Sequence, residues 1–467
     1  METIKRPKTL GDLKRSGYQV LTVKEEMRRN LIEAIKKGDE LFPGIIGYAD
    51  TVIPQLENAI LSGHDVIFLG ERGQAKSRLI RAMANLLDEA VPVVAGSEIN
   101  DNPFDPVSKY AKETIEKLGD KTEIDWLPRE MRYSEKLATP DITIADLIGE
   151  IDPIKVAEGR YLSDELTIHY GLIPRTNRGI FCINELPDLA ERIQVGLFNL
   201  MEERDIQIKG YRIRLPLDVY VVASANPEDY TNRGRIITPL KDRYGSLIRT
   251  HYPKTVEDEI KIVDQEAAKP TEVGYRVVVP PYMKELIGEV TSLARRSPDI
   301  NQRSGVSVRV SICNYENMVS NAVRRAIRLG EETAVPRITD LQYILASTAG
   351  KLELESIEEG RETRVLDELI KKASLTTFSR YFTVQEFDPV IRKFEEGAVV
   401  ETSHTMPSKD YIKKMREVSG LAESIRRLEA EESPASIASA MEFIFEGLHL
   451  SRRLNRDKIE GTYRYRS

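Results

Sequence analysis

The chain is 467 residues long and 41% hydrophobic, with 75 acidic against 68 basic side chains and a formal net charge of −7. That is room for roughly two to four domains with ordinary cores, and the acidic balance excludes a global positive field that would draw nucleic acid, leaving only a local basic groove open. Two cysteines, Cys182 and Cys313, exclude a disulfide scaffold, neither lies in a cluster with zinc-ligand spacing, METIKRPKTLGDLKRSGYQ lacks the apolar stretch of a secretory signal, and no apolar run approaches the roughly 18 residues of a membrane span, so a cytoplasmic protein is expected.

Residues 1–40 read as a partly helical N-terminal extension, polar and basic at first, with a helical pattern over Val23 to Lys37. From Phe42, FPGIIGYADTVIPQLENAILSG gives a turn and a helix rich in apolar positions. The next stretch, DVIFLGERGQAKS from Asp65 to Ser77, carries a short buried strand, Val66 to Leu69, into a glycine-containing turn and the start of a helix. Its last eight residues are one substitution from G-x-x-x-x-G-K-[ST], with Ala75 in place of the second glycine. Such a loop, Gly70, Glu71, Arg72, Gly73, Gln74 and Ala75, lets backbone N–H groups curl around phosphate oxygens. Lys76 then supplies a point charge to the β- and γ-phosphates of a nucleoside triphosphate, and the Ser77 hydroxyl is placed to bind Mg²⁺. An ordinary strand-to-helix turn is the alternative. Arg78 to Asp88 continues as a helix with an apolar stripe.

Residues 89–165 are interrupted by Pro92, Pro103, Pro106, Pro128, Pro140 and Pro153 and read as an irregular insertion. Then RGIFCINELPDL gives a second apolar strand, Ile180 to Ile183, ending on Asn184 and Glu185, followed by a helix over Leu189 to Glu202. DIQIKGYRIRLP alternates apolar and polar residues about Lys209-Gly210, a β-hairpin pattern. Val219 to Ser224 is a third buried strand, leading to Asn226. Residues 255–351 turn helical, and 352–467 form a further helical region whose role is not readable; its tail, SRRLNRDKIEGTYRYRS, mixes arginine and tyrosine but is read as a solvated or docking segment.

Hydrolysing a triphosphate needs a group to polarise water, one to sense the γ-phosphate and cations to stabilise the charge that develops. Glu185 at the tip of the second strand suits the first task and Asn226 at the tip of the third the second. Arg243 in LKDRYG and Arg309 in VSVRVSICNYENM are candidates to reach the phosphates from a neighbouring subunit and from the helical domain. The competing readings are a loop carboxylate, a turn-forming Asn before Pro227 and surface arginines.

The ordered set GERGQAKS, GLIPRTNRGIFCINELPDL, the hairpin, VVASANPEDY and LKDRYG resembles the AAA+ ATPases of the magnesium-chelatase ATPase-subunit and MoxR clade, over about Phe42 to Gly350. FPGIIGY and the alanine before Lys76 fit that clade. The resemblance implies an α/β P-loop core of parallel sheet flanked by helices over 41–254, with the insertion at 89–165, then a helical lid over 255–351. It implies ATP and Mg²⁺ as cofactors and a hexameric homo-oligomeric ring. It makes Lys76 and Ser77 the Walker A pair, Glu185 the Walker B glutamate, Asn226 sensor 1, Arg243 the arginine finger acting in trans and Arg309 sensor 2. One departure stands out: Asn184 occupies the usual Walker B aspartate, so that its contact to Mg²⁺, made through water, is neutral and slower hydrolysis is expected.

TPDITIADLIG and GRYLSDELTIHYGLIP resemble the clade's insertion before the Walker B strand, which acts on a partner or lines the ring. Four functions follow. The first is an ATPase that remodels or activates a partner, with a separate von Willebrand A-domain protein as companion, since the chain has no D-x-S-x-S motif. The second is the true chelatase ATPase subunit with chelatase-like companion subunits, inserting Mg²⁺ into a porphyrin. The third is a nucleotide-gated scaffold with little turnover. The fourth, a DNA-acting motor, is opposed by the acidic balance and the lack of a DNA-binding motif; neither a membrane nor nucleic acid is expected as partner.

Overall fold

VIFL, GIFCIN and VYVVASA are runs of β-branched and aromatic residues without polar alternation, the composition of strands covered on both faces. In the computed structural model, which describes all residues except 1–5, 153, 155–156, 158–164, 208–213, 228–233, 269–274, 356–359, 419, 429–432 and 460, they are the centre of a parallel sheet. The chain divides into two units, Met1–His251 and Tyr252–Ser467.

In the first unit β1 (Val66–Leu69), β2 (Tyr133–Leu137), β3 (Gly179–Asn184), β4 (Val219–Ala225) and β5 (Ser246–Arg249) pair in the order β5-β1-β4-β3-β2. All four pairings are parallel, with Val66 opposite Val222 and Ser246, and Val222 opposite Cys182. Side chains alternate between two cores. Phe68, Cys182, Tyr220 and Val222 pack with Leu79 and Ile80 of α2 (Lys76–Ala82) and with Met27 and Leu31 of α1 (Val23–Lys37). On the other face Ile67, Phe181, Ile183 and Val221 pack with Leu186, Leu197 and Leu200. Because the strands are parallel, their C-terminal ends share one edge, where the loops after β1, β3 and β4 meet.

α1 has the bounds its periodicity predicts. Thr22 and Glu25 form a reciprocal capping box at its start, and Gly38, at φ 73°, closes it in the left-handed conformation. Its buried Glu26 takes both terminal nitrogens of Arg132 at 2.7 and 2.6 Å.

The expectation of irregular structure over 89–165 is corrected. Ala90–Val94 pairs antiparallel with Ile124–Pro128, Lys109–Leu118 is helical, and Tyr133–Leu137 is a strand of the main sheet. Pro128 ends its strand and Pro92 lies in a two-stranded ribbon, one side of which has no ladder partner; Pro103 and Pro140 fall in turns, Pro106 lies between elements, and Pro153 is outside the described residues. The arms of the expected hairpin, Asp205–Gln207 and Arg214–Pro216, pair antiparallel; its Lys209-Gly210 turn lies outside the described residues. Gly149–Ile151 pairs with Ile168–Tyr170, and the GRYLSDE segment between them lies largely outside the described residues.

The second unit is built on α3 (Pro281–Ala294), α4 (Arg309–Leu329), α5 (Arg361–Tyr381) and α6 (Pro434–Leu450), and one hydrophobic cluster runs from Tyr282 to Tyr465. Residues before and after 351 thus share a core. The C-terminal region is not helical throughout: β6 (Val400–Ser403), β7 (Asn455–Ile459) and β8 (Thr462–Arg466) form an antiparallel sheet in the order β6-β8-β7. The arginine- and tyrosine-bearing tail is therefore a hairpin, held by Tyr465, which is only 2% exposed. No helix among the described residues is long and apolar enough to cross a membrane.

Candidate active site

The loop after β1 must let other atoms approach closely. A Cβ on Gly70 would lie 1.8 Å from Thr250 Oγ1 and 2.3 Å from Gln74 Oε1, so only glycine fits there. Gln74 braces the loop from inside, its Oε1 accepting the Glu71 N–H at 3.0 Å and the Thr250 hydroxyl at 2.7 Å. Tyr48, from the FPGIIGY segment, reaches the Gln74 carbonyl at 2.8 Å and the His251 carbonyl at 2.9 Å, and burial pushes its phenol up to about 12, so it stays a donor. Ala75 sits at φ 53° as the residue before α2, the left-handed conformation in which glycine is the unstrained choice. Arg72 and Ser77 are exposed on this loop and Gly73, at φ 75°, turns it.

Three predicted residues from three elements meet. The Lys76 ammonium is bonded to the carbonyls of Gly70 and Glu71, the latter at 2.9 Å, and to Asn226 Oδ1 at 2.7 Å. Asn226, 6% exposed just past β4, uses its Nδ2 to donate to Glu185 Oε2 at 2.6 Å. Glu185 follows β3 at φ 56°, a conformation uncommon outside glycine and asparagine, which turns its carboxylate toward β4. Its N–H is held by Ser224 Oγ at 3.2 Å, and that hydroxyl also donates to Asn184 Oδ1 at 3.2 Å. A cation, an amide that orients both neighbours and a carboxylate thus form one line along the strand tips. Such a line can bind a triphosphate at one end and hold a water at the other.

The donor set fits ATP with a hydrated Mg²⁺. Ser77 offers a hydroxyl, Asn184 an amide and Glu185 a carboxylate, and the described residues contain no group of three or more His, Cys, Asp or Glu that would cage a metal by itself. Mg²⁺ keeps several waters and is held mainly by phosphates, so few protein ligands suffice.

The arginines are not part of this line. Arg243 ends the short helix Thr238–Arg243, with its Nε on Glu202 at 2.9 Å, an amine on the Pro239 carbonyl at 2.7 Å and its guanidinium 4.6 Å from the Phe198 ring centroid. Arg309 is the exposed first residue of α4 in the second unit, its N–H bonded to Ser307 Oγ at 3.2 Å. Sequence reasoning missed Glu135, on β2, and Arg81, on α2, which form a two-bond ion pair at 2.6 and 3.0 Å beside Asn184. YSEKL, with three polar residues in a row, carries no clear strand signal. Cys182, read as a small buried residue, is buried in the middle of β3, and its thiol is pushed up to about 12 by burial.

No family model matches the chain. Among curated proteins it is similar to the magnesium-chelatase subunit ChlI of Nostoc sp., 26% identical over 345 residues, which cover 68% of this chain and 86% of the relative. The magnesium-chelatase subunit ChlI of Anabaena variabilis is 26% identical over 318 residues, 63% of this chain and 88% of the relative. Among solved structures, a complex between subunits BchI and BchD of magnesium chelatase aligns with 71% of this chain and 98% of that one, at 21% identity and a TM-score of 0.36. The chain resembles the AAA+ ATPases of the magnesium-chelatase ATPase-subunit and MoxR clade, and its P-loop core is of the kind that takes ATP with Mg²⁺.

Proposed function

We propose that the chain is an AAA+ ATPase that couples ATP binding and hydrolysis to the remodelling or activation of a partner protein. The observation that carries the reading is the hydrogen-bonded line Lys76–Asn226–Glu185, from three separate segments, at the tips of adjacent parallel strands. In this reading Gly70 to Ala75 cradle the phosphates, Lys76 leaves its loop carbonyls for the β- and γ-phosphates, and Ser77 with Asn184 would hold Mg²⁺, which when bound would neutralise phosphate charge. Glu185 takes the proton of the attacking water, and Asn226 orients that water against the γ-phosphate.

We assign 41–254 as the ATPase core with its insertion at 89–165, 255–351 as the lid carrying Arg309, 1–40 as an extension and 352–467 as a further C-terminal region. Arg243 acts in trans: in a homo-oligomeric ring, of six subunits by the family pattern, it would exchange Glu202 for a neighbour's nucleotide. A separate von Willebrand A-domain protein or a chelatase-like companion subunit is the partner, in the cytoplasm. The relatives' name supports a second reading, the ATPase subunit of a magnesium chelatase. Asn184 supports a third, a nucleotide-gated scaffold of low turnover.

Steady-state phosphate release with Glu185→Gln tests the proposal. Turnover should fall by about 10²–10⁴-fold while binding of a fluorescent ATP analogue is kept. Hydrolysis by that variant at the parent rate would remove Glu185 from the chemistry, and a parent without turnover would leave the scaffold reading in its place.

A further inference from the structure

The first unit holds a cleft that shares no residue with the Lys76–Asn226–Glu185 line. Its volume is about 280 Å³, and Tyr110, Tyr170, Leu166, Ile168, Glu98 and Glu165 line it, with no lysine or arginine among the described lining residues. Small-molecule sites run to roughly 300–1,000 Å³, so this cleft suits a single side chain better than an organic cofactor.

The aromatic walls are built in. In Ile168–Tyr170 the strand alternation turns Ile168 and Tyr170 to one side and leaves His169 exposed on the other. Tyr110 stands in the first turn of the helix Lys109–Leu118, which Ser108 caps, and its hydroxyl donates to the Ala95 carbonyl at 3.1 Å. A Cβ on Gly96 would lie 2.6 Å from that hydroxyl, so the loop after Val94 is shaped to seat the ring. Tyr110 is 41% exposed and Tyr170 8%, giving the cleft an outer and an inner ring.

Its charge is negative. Glu165 is held through one oxygen: Oε1 accepts the Lys109 N–H at 2.7 Å and the Tyr170 hydroxyl at 3.2 Å, and no described residue hydrogen-bonds Oε2. Behind Ser108, the buried Asp101 accepts the N–H groups of Val107 and Ser108 at 2.6 and 2.8 Å and the hydroxyls of Ser97 and Ser108, each at 2.6 Å, none of them a cation. Arg175 stands nearby, its Nε on the Tyr170 carbonyl at 3.0 Å and a terminal nitrogen 3.9 Å from Glu98, and so offsets part of the Glu98 charge.

We propose that this cleft takes an arginine side chain from a partner protein. Guanidinium stacks on aromatic faces, pairs with carboxylate oxygens and is more weakly hydrated than ammonium, while its stem can lie along Leu166 and Ile168. A free polyamine carries more charges than Glu98 and Glu165 can match. The proposal is independent of the ATP reading.

The test is saturation-transfer NMR on the full chain with the peptide acetyl-Gly-Arg-Gly-amide, its citrulline counterpart and spermidine. The arginine peptide should saturate at millimolar concentration, with its strongest signal on the arginine side chain, and the neutral citrulline peptide should bind about ten-fold more weakly. Glu165→Gln, which still offers an acceptor to the Lys109 N–H, and the exposed change Tyr110→Ala should each weaken the arginine peptide several-fold. Glu368→Gln, on the surface of the second unit, should leave it unchanged and so control for general attraction to an acidic protein. Equal binding of citrulline and arginine peptides, or an affinity untouched by Glu165→Gln and Tyr110→Ala in variants that melt like the parent, overturns the proposal. Spermidine binding more tightly than the arginine peptide, with the same dependence on Glu165, would overturn the protein side chain as occupant in favour of a free polyamine.

Discussion

The two units use buried polar groups differently. In the first, Lys76, at 7% exposure, and Asn226, at 6%, sit at the strand tips, apart from fixed pairs such as Glu26 with Arg132 at the strand roots. In the second, they sit along helices inside the core. Glu442 in α6 accepts the Thr339 N–H at 3.0 Å and the Tyr411 hydroxyl, Glu446 accepts the Tyr465 hydroxyl at 3.0 Å, and Arg325 of α4 meets Asp340 at 2.9 Å. Burial alone therefore does not mark a site. The second unit's carboxylates are matched to fixed donors by the packing itself, whereas the first unit's line lies at chain turns, where Ala75 and Glu185 hold positive φ and partners can be exchanged.

The strongest way to break this contrast is Glu442→Ala. If that carboxylate is purely structural, stranding the Thr339 N–H and the Tyr411 hydroxyl should cost about 2–4 kcal/mol in urea unfolding and leave ATP-analogue affinity unchanged in the folded protein. A weaker affinity with unaltered stability would make the second unit's interior part of the site.

A smaller effect is expected at Asp218, which accepts the Val23 N–H at 2.9 Å and whose carboxyl is pushed up to about 6, mainly by burial and against the pull of Arg178 and Arg132. A raised folded-state value means the folded chain binds this proton more tightly. Its stabilising contribution is complete below the ordinary carboxylate range and is lost as pH rises through about 6, amounting to about 2 kcal/mol between pH 4 and pH 7. Asp218→Asn should remove that part of the pH dependence, so that the gap between variant and parent melting temperatures changes across the window. Parallel profiles would refute it.

The smallest effect belongs to Ala75→Gly. Relief of the left-handed alanine, offset by the extra freedom of glycine in the unfolded chain, should give a net gain of about 0.5 kcal/mol by thermal melting, with nucleotide binding kept. A loss of stability would show that the methyl group packs usefully and that the loop is not strained there.

What could be read from the sequence follows burial. β1, β3 and β4 are covered on both sides, so their apolar runs are unambiguous, and the residues at their tips, Lys76, Glu185 and Asn226, could be placed before any coordinates. β2 pairs on one side only, so YSEKL keeps Glu135 and Lys136 and resembles a polar loop. The place of Glu135 opposite Cys182 depends on a strand order that puts distant segments side by side, which periodicity does not encode. The same holds for TYRYR, whose alternation makes sense only once Val400–Ser403 supplies the other strand. Positions such as that of Arg243 against Phe198 and Glu202 are set by packing and had no local signature.

The ion pair between Glu26 and Arg132 fixes where this protein can be cut. Arg132, 1% exposed and adjacent to the first residue of β2, also donates from Nε to the Arg178 carbonyl at 2.8 Å, adjacent to the first residue of β3. It is thus a rivet through the roots of the two strands that carry Glu135 and Asn184, and its head is in α1. A shortened chain beginning at Phe42 would keep Gly70 to Ser77, Glu185 and Asn226 yet strand a buried guanidinium, at a cost of about 3–5 kcal/mol. The minimal folded core, by that account, begins before its motifs do.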